Sequence, residues 1–321
     1  MRAAICPAYG PPEVVRVEEF PSPDLADGQV RVQVAAAAVN FPDVLLVAGT
    51  YQVKVRPPFI PGSEFAGVIT ETSCDNDNFA VGGRVTGTGM FGAFAEQVCI
   101  DSDALAPIPE GIDYRTAVAS GVAFRTAYHA LRSTARISPG DDVVVLGAGG
   151  GVGLAAVALA TALGARVIAI ASSDEKLSAA AEYGAVHGID HRGSDLRQAL
   201  RESLPGGAAA VIDPVGGDLS EPALRSLKRG GRFVTVGFAS GSIPRIPLNL
   251  VLVKGIQVLG FQFQDIPADE FTRNESELRR LLATGAVAPH IGATYSLAET
   301  ASALRHVADG RATGKVVIDV G

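Results

Sequence analysis

The sequence predicts an α/β protein in which a β-rich segment precedes a parallel sheet covered by helices on both faces. Three observations carry this prediction. A glycine cluster lies between two apolar runs, at residues 143–146 and 167–171. After the second run, strand and helix patterns alternate, which is typical of a parallel sheet. Before residue 113, alternation such as Val30-Arg31-Val32-Gln33-Val34 and frequent Pro and Gly indicate short antiparallel strands around a small barrel.

The glycine cluster predicts a dinucleotide site. Gly150 lets the backbone approach a phosphate without a Cβ in the way, and Gly153 lets the next helix pack closely on the first strand. The start of that helix presents unpaired N–H groups and a partial positive charge to an anion. Ala148 replaces the first glycine of the G-x-G-x-x-G fingerprint, but the strand and helix around it are the context that the fingerprint requires. We therefore predict a Rossmann-type doubly wound sheet, with a glycine-rich packing turn as the alternative. The predicted phosphate contacts are Gly150, Gly151, Val152 and Gly153.

The remaining elements follow from periodicity. Helices are predicted at 117–131, 172–182, 196–204, 221–228, 268–283 and 297–308, and strands at 186–190, 209–213, 232–237, 256–261 and 315–320. Ser172 and Glu175 have the spacing of a capping box for the second of these helices.

Composition excludes several classes of protein. The chain has 321 residues, of which 47% are hydrophobic and 19% charged, as expected of a compact protein with two domains. A net charge of −7 without a basic run argues against a nucleic-acid surface. Cys6, Cys74 and Cys99 are far apart, so neither a disulfide framework nor a metal cluster is indicated. We expect no leader and no membrane span, and therefore a cytoplasmic protein without a membrane partner.

The end of the second strand of the nucleotide segment bears on the cofactor. A site for NAD usually places Asp or Glu there, whereas Ser172 and Ser173 follow this strand. Asp174 suits the first turn of a helix. Ser172, Ser173 and Lys176 can bind a 2′-phosphate, although Lys176 could equally belong to a solvated helix face.

The order of these segments, together with several motifs, resembles the medium-chain dehydrogenase/reductase superfamily and, within it, the zinc-free, zeta-crystallin-like quinone oxidoreductases. The motifs are Asn40-Phe41-Pro42-Asp43 followed by Gly49-Thr50-Tyr51, Pro61-Gly62-Ser63-Glu64-Phe65-Ala66-Gly67, Phe124-Arg125-Thr126-Ala127-Tyr128, the glycine cluster, and Gly310-Arg311-Ala312-Thr313-Gly314-Lys315. The resemblance covers essentially the whole chain. It implies a GroES-like catalytic domain at 1–113, a nucleotide-binding domain at 114–255, and a segment at 256–321 that completes the sheet and returns to the catalytic domain.

Two departures from the superfamily concern the metal. In zinc-dependent relatives the second motif reads G-H-E-x-x-G and its His binds the catalytic zinc, whereas Ser63 stands in that place here and Asn40 stands where a Cys ligand is expected. The sequence offers no ligand set with the usual spacing, so we predict no metal site. Without a Lewis acid, suitable acceptors are already electrophilic, namely quinones and double bonds conjugated to a carbonyl. The resemblance therefore implies an NADPH-dependent, zinc-independent reductase of such compounds, acting as a homodimer.

The resemblance also implies cofactor contacts. His191 and Arg311 occupy places near the adenosine phosphate, although His191 could be an ordinary residue of a surface turn. The implied contacts around the nicotinamide are Asn40, Thr126, Val215, Gly237, Phe238, Ala239 and Phe261. Asn40 could instead cap a turn before Pro42, and Phe261 could belong to the core.

The implied catalytic residues are Tyr51 and Asn40. Tyr51 lies where related enoyl reductases carry a tyrosine proposed as the proton donor, and a phenol can donate to an enolate while it stays neutral in neutral solution. Tyr51 could instead form a wall of the cleft or anchor a loop. Asp43 is interpreted as a structural carboxylate of a turn.

Two other functions remain open. One is reduction of an enoyl thioester, on coenzyme A or a carrier protein, or of an alkenal double bond. The other is an NADPH-binding structural or sensor protein with little turnover. A homodimer would use residues 256–263 as a candidate edge for strand pairing.

Overall fold

The computed structural model describes residues 1–74 and 76–321. The chain forms two compact units, of which the first contains Met1–Val122 and Pro289–Gly321 and the second contains Ala123–Ala288. The sequence places the domain boundaries after residues 113 and 255. The units divide later because the helix that follows residue 113 packs Val118 and Ala119 into a core of the first unit, and because the strand that follows residue 255 joins the sheet of the second unit.

The elements are as follows. The first unit opens with β1 (Arg2–Ile5), β2 (Arg16–Glu19), β3 (Gln29–Val39), α1 (Phe41–Ala48), β4 (Glu64–Thr72), β5 (Arg84–Thr88), β6 (Gln97–Asp101), β7 (Leu105–Pro107) and α2 (Tyr114–Ala119). The second unit contains α3 (Val122–His129, whose first residue belongs to the first unit), β8 (Asp142–Leu146), α4 (Gly151–Ala162), β9 (Arg166–Ala171), α5 (Asp174–Glu182), β10 (Ala185–Asp190), α6 (Leu196–Ser203), β11 (Ala208–Asp213), α7 (Ser220–Ser226), β12 (Leu227–Thr235), α8 (Leu248–Lys254), β13 (Gln257–Gly260) and α9 (Ala268–Ala283). The chain returns to the first unit with β14 (Ile291–Ser296), α10 (Thr300–Ala308) and β15 (Lys315–Asp319).

Short helices join several of these elements. Single turns of 3₁₀ helix lie at Pro12–Val14, Asp77–Phe79, Ser102–Ala104, Gly217–Leu219, Phe263–Asp265 and Leu297–Glu299, and a π-helical turn, Ala130–Thr134, follows α3.

The second unit is built on a parallel sheet with the strand order β10-β9-β8-β11-β12-β13. Side chains of β8 alternate between its two faces, because Val143 and Val145 belong to one core cluster while Val144 and Leu146 belong to another. All four are fully buried. Full burial of such a side chain stabilises the fold by about 1.5–3 kcal/mol. Helices therefore cover both faces, and the predicted doubly wound sheet is confirmed.

The first unit is largely antiparallel. One sheet has the order β14-β15-β3-β4-β5-β7, with β6 also paired to β3, and β1 pairs with β2. Val30, Val32 and Val34 of β3 are buried, whereas Arg31 and Gln33 between them are partly exposed, as the alternation predicts. The return strand β15 pairs with β3 and so ties the end of the chain to its beginning.

Candidate functional site

The predicted cofactor residues of the second unit meet at one edge of its sheet. The strands run parallel, so their carboxyl ends share an edge, and a ligand site is expected where the strand order reverses, here between β8 and β11. The loops at that edge carry Gly150 to Gly153 after β8, Ser172 and Ser173 after β9, His191 after β10, Val215 after β11, Gly237 to Ala239 after β12 and Phe261 after β13. The structure therefore brings these segments together.

The glycine turn leaves room for a bound group because side chains are absent from it. Gly150 precedes α4 in an extended conformation, and its N–H donates to the Gly147 carbonyl at 2.9 Å. A Cβ at Gly153 would collide with that same carbonyl oxygen. The turn is thus closed tightly against the start of α4, where the N–H groups of the first turn and the helix dipole favour a phosphate. These residues fit the pyrophosphate of a dinucleotide.

Three basic side chains, Lys176, His191 and Arg192, lie close together at this edge. The side chain of Lys176 on α5 lies directly over Gly149, so that a Cβ there would strike it. Burial lowers the pKa of Lys176, and the charge of Arg192 lowers it further. Burial also lowers the pKa of His191, again with a contribution from Arg192. Burial and the neighbouring positive charge thus disfavour the protonated forms of Lys176 and His191, and a bound phosphate would favour those forms. Arg192 is a member of this cluster that the sequence did not single out.

The start of α5 differs from the expected capping box. The hydroxyl of Ser173, rather than that of Ser172, accepts the hydrogen bond of the helix end, from the Lys176 N–H at 3.4 Å. The helix begins at Asp174, one residue later than the Ser172 pattern requires, because β9 continues to Ala171 and leaves Ser172 in the connecting bend. Ser172 and Ser173 are both partly exposed beside Lys176.

Asp213 holds the loops after β11 and β12. Its buried carboxylate accepts hydrogen bonds from the Val215 N–H at 2.9 Å, the Gly216 N–H at 2.8 Å and the Ser220 hydroxyl at 2.6 Å. The Ala239 N–H donates to the Pro214 carbonyl at 3.1 Å, which ties the second loop to the first. The predicted contacts Val215 and Ala239 are therefore placed by a residue that sequence analysis missed. The sequence feature that could have identified Asp213 is an Asp at the end of a strand, followed by Pro and paired glycines.

Two further predicted contacts of the second unit, Thr126 and Phe261, are buried. Thr126 on α3 is 8% exposed, and Phe261 is 7% exposed. Phe261 belongs to a core cluster and makes an edge contact with Phe263, with ring centroids 5.0 Å apart. Phe261 therefore packs in the core, as the alternative to a nicotinamide contact requires. It also lies directly after β13, at the edge of the sheet where the cofactor loops meet.

In the first unit, Asn40 lies at the centre of a buried polar network. The Lys315 ammonium group donates to Asn40 Oδ1 and to Glu64 Oε1, both at 2.7 Å. Asn40 Nδ2 donates to Glu64 Oε1 at 2.8 Å and to Ser63 Oγ at 3.1 Å. Because lysine has no acceptor, this arrangement fixes which side of the amide carries the oxygen. Both amide hydrogens are used, which leaves Oδ1 as the group of Asn40 that can still accept a hydrogen bond.

Asp43 connects this network to α1. Asn40 precedes the helix, and its backbone N–H donates to Asp43 Oδ2 at 2.7 Å, so this capping contact is made by the side chain of Asp43. Glu64 is tied to the chain on its other side, because Oε2 accepts from the Val122 N–H at 2.7 Å. Sequence analysis assigned no role to Glu64 or Lys315, although both lie in motifs that it quoted.

Tyr51 and Arg311 lie elsewhere in the first unit. Tyr51 follows α1, is partly buried and packs against the main apolar cluster of this unit, while its N–H donates to the Leu45 carbonyl at 3.2 Å. Arg311 precedes β15 and pairs with Asp309 at 3.3 Å, with 62% of its side chain exposed. Arg311 is therefore accessible to an anionic ligand.

The described residues contain neither a cluster of metal ligands nor a helix suited to a membrane. Within residues 1–74 and 76–321, no group of three or more His, Cys, Asp or Glu side chains is arranged to hold a metal ion. Of the helices in the described part of the chain, none combines the length and the apolar character needed to cross a membrane.

Comparison with known proteins places the chain in a family. Residues 26–110 match the family described as alcohol dehydrogenase GroES-like domain, and residues 151–281 match the family described as zinc-binding dehydrogenase. The chain is 38% identical to quinone oxidoreductase-like protein 2 of Bos taurus over 326 residues, which cover 99% of this chain and 92% of that protein. This chain belongs to the quinone oxidoreductase-like members of the medium-chain dehydrogenase/reductase superfamily. The predicted family and the predicted GroES-like domain are thereby confirmed.

Solved structures of the superfamily share the fold over its whole length. The quinone oxidoreductase of Escherichia coli, solved in complex with NADPH, has a TM-score of 0.92 and 28% identity, with 100% of both chains covered. The quinone oxidoreductase of Thermus thermophilus, also solved in complex with NADPH, has a TM-score of 0.84 and 32% identity, again with 100% of both chains covered. NADPH, the cofactor predicted from the sequence, is the one bound in these two relatives.

Proposed function

We propose that this protein is an NADPH-dependent reductase that transfers hydride to quinones or to related conjugated carbonyl compounds. The observation that carries the proposal is the cluster of Lys176, Arg192 and His191, in which Lys176 lies over the glycine turn, at the edge where the cofactor loops meet. A dianionic 2′-phosphate is complementary in charge to this cluster, whereas the neutral ribose hydroxyl of NADH is not. The NADPH complexes of two relatives support the same cofactor.

The chain's own residues would bind and orient the cofactor. Gly150 to Gly153 would hold the pyrophosphate at the start of α4, and Val215, Gly237, Phe238, Ala239, Phe261, Thr126 and Asn40 would border the nicotinamide. Ser172, Ser173, Lys176, His191 and Arg311 would hold the adenosine phosphate. Bound NADPH supplies the hydride, and the protein aligns the acceptor with it.

Zinc independence is part of the proposal. The Lys315 ammonium group lies 2.7 Å from both Asn40 Oδ1 and Glu64 Oε1. Asn40 and Glu64 belong to the motifs that bind zinc in zinc-dependent relatives. A divalent cation beside this buried ammonium group would meet strong repulsion in a medium of low dielectric constant. Acceptors that need no Lewis acid are the ones that suit such a site.

Reduction of a carbon–carbon double bond is a second candidate function, and Tyr51 is the observation that favours it. Tyr51 shares the first unit with Asn40 and carries a hydroxyl on a partly buried ring. An enolate formed by hydride addition needs a proton at carbon, which a positioned phenol can donate. A hydroquinone anion can take its protons from water, so a quinone reductase has less need of this residue.

The protein is further proposed to act as a homodimer. β13 is an edge strand, and Val258 on it is 44% exposed. The neighbouring α8 exposes Leu248, Leu252 and Val253 by 75%, 83% and 67%. Pairing of β13 with a second copy would satisfy the edge and cover this apolar surface. A cytoplasmic location stays a prediction.

The test follows the absorbance of NADPH with an ortho-quinone, a para-quinone, an enone and an enoyl thioester, using the wild type and Tyr51→Phe. Quinone turnover that survives Tyr51→Phe supports the leading proposal. Turnover that is confined to the enone or the thioester, and is lost in the variant, contradicts it and makes Tyr51 the proton donor of an alkene reductase.

A further inference from the structure

The segment that follows β13 is exposed over most of its length. Phe261 is buried and its N–H donates to the Thr235 carbonyl at 3.0 Å, whereas residues 262–265 are exposed. The Phe263 ring meets the Phe261 ring edge to face, with centroids 5.0 Å apart. Since the nicotinamide would lie against Phe261, its placement depends in part on the groups that hold Phe263.

Side chains of α3 and α9 surround the Phe263 ring. Cζ of Arg125 on α3 lies 5.5 Å from the centroid of Phe263 and 5.7 Å from that of Phe271 on α9. The His129 ring stacks on Phe271, with centroids 4.8 Å apart, and meets the Phe263 ring edge to face at 5.7 Å. Cation–π and edge-to-face contacts favour one relative placement of such groups. Phe263 is thus held from two helices.

Glu275 on α9 fixes both Arg125 and His129. Nε of Arg125 donates to the two carboxylate oxygens of Glu275 at 3.0 and 3.1 Å, and Nε2 of His129 lies 3.0 Å from Oε1. Burial raises the pKa of Glu275, but the hydrogen bond from His129 and the Arg125 guanidinium outweigh burial and hold this pKa below its usual value. Glu275 is therefore an anion that only accepts, so Nε2 carries the hydrogen of that contact. The amide of Asn274 lies 3.4 Å from the other ring nitrogen, which orients the buried ring from both sides.

A second ion pair connects the same two parts of the chain. Nη2 of Arg132, in the π-helical turn after α3, lies 3.5 Å from Glu277 Oε2, and the Tyr128 hydroxyl donates to the same oxygen at 2.6 Å. The side chains of Arg125 and Arg132 are 31% and 36% exposed. The cation–π contacts of the described residues include Arg125 but not Arg132. Both pairs therefore join α9 to the α3 region, and the pair of Arg125 also reaches the segment after β13.

We propose that Arg125, His129 and Glu275 are positioning residues that hold Phe263, and through it Phe261, in place for the nicotinamide half of the cofactor. This inference rests on the cofactor site proposed above. Phe261 would border the nicotinamide ring, and a fixed ring meets the acceptor in one orientation. The 2′-phosphate would instead lie at the loops after β9 and β10, on the opposite side of the sheet from β13. The positioning residues therefore act on one half of the cofactor.

The binding test compares NADPH with adenosine 2′,5′-bisphosphate, which has the 2′-phosphate but lacks the nicotinamide half. Arg125→Met should raise the Kd for NADPH about three- to tenfold, because it removes a cation–π contact and an ion pair. The Kd for the bisphosphate should stay nearly unchanged. Arg125→Lys keeps the charge without the planar guanidinium and should fall between Arg125→Met and the wild type. Isothermal titration calorimetry measures both ligands.

Arg132→Met is the matched control. It leaves Glu277 with the Tyr128 hydroxyl, as Arg125→Met leaves Glu275 with His129. Arg132→Met should change neither Kd. Phe263→Leu, at a residue that is 36% exposed, should fold and should weaken NADPH binding as Arg125→Met does. Combining Phe263→Leu with Arg125→Met should add little to either single effect, because the two changes remove one shared contact.

The results that would overturn the positioning role are distinct from those that would overturn the cofactor site. Equal losses for NADPH and the bisphosphate, equal losses in Arg125→Met and Arg132→Met, or unchanged NADPH binding in both Arg125→Met and Phe263→Leu would contradict the role of the Arg125 pair. A wild type that binds neither NADPH nor the bisphosphate would instead overturn the cofactor site on which the inference rests.

Discussion

At the level of single residues, the buried carboxyl group of Asp43 leads to a prediction about how stability depends on pH. Its pKa in the folded protein, about 7, lies above the ordinary value of 3.8, so the folded state holds this proton more tightly than the unfolded state does. At pH values between these two pKa values, the contribution of Asp43 to the free energy of unfolding falls as the pH rises, by up to about 1.4 kcal/mol per pH unit. Asp43→Asn cannot ionise. Its free energy of unfolding should therefore improve relative to the wild type as the pH rises through this window.

Urea denaturation of both proteins at a series of pH values measures this difference. Only the difference between the two curves is diagnostic, since other carboxyl groups titrate in both proteins alike. Parallel curves across the window would show that Asp43 has an ordinary pKa.

Lys176 makes a prediction for cofactor selectivity. An ion pair with a phosphate is a strong hydrogen bond, and its loss costs about 1.5–3 kcal/mol. Lys176→Ala should therefore raise the Kd for NADPH about tenfold or more and leave the Kd for NADH nearly unchanged, as measured by quenching of nicotinamide fluorescence. Lys228→Ala is the control, because that lysine pairs with Asp141 in another part of the second unit. Equal losses for both cofactors would place Lys176 away from the 2′-phosphate.

Among the elements, the turn between β8 and α4 depends most on its sequence. Gly153→Ala would drive a Cβ into the Gly147 carbonyl. The substitution should cost about 2 kcal/mol or more of stability, because overpacking against backbone displaces the helix. Gly206→Ala is the matched control, since nothing lies within 4 Å of its Cβ position, and it should change stability by less than about 1 kcal/mol. Thermal unfolding measures both, and equal effects would contradict this view of the turn.

How well the elements could be predicted depended on how each one is buried. α9 occupies residues 268–283, as its amphipathic pattern predicts. The predicted helix 117–131 is interrupted at Ser120 and Gly121, where α2 ends and α3 begins. α8 was not predicted, because no residue of this helix is fully buried and its apolar side chains are largely exposed. α1 was missed because Pro42 suggested a turn, although proline is well suited to the first turn of a helix.

In the whole molecule, the predicted homodimer depends on one edge of the parallel sheet. Val258→Lys on the edge strand β13 should convert the dimer to a monomer, since a charged edge strand resists pairing. Val186→Lys is the matched control, because Val186 is 60% exposed on β10 at the opposite edge. Sedimentation velocity measures both. A dimer that survives the change at Val258 would place the interface elsewhere.

The candidate site divides into a part that the sequence could predict and a part that it could not. The loops after the parallel strands follow from local patterns, because strand, turn and helix are contiguous and parallel strands end at one edge. The polar network of the first unit joins Lys315 to Glu64 across 251 positions of sequence. No periodicity links such residues. Their contact arises because β15 returns to pair with β3, beside β4.

The most direct test of the central claim follows the absorbance of NADPH mixed with the wild-type protein before and after an ortho-quinone is added. The account predicts a stable absorbance without the quinone and rapid loss with it, at a rate proportional to the amount of protein and much slower when NADH replaces NADPH. An absorbance that stays unchanged with bound NADPH and with every acceptor tried would contradict the account and identify an NADPH-binding protein without reductase activity.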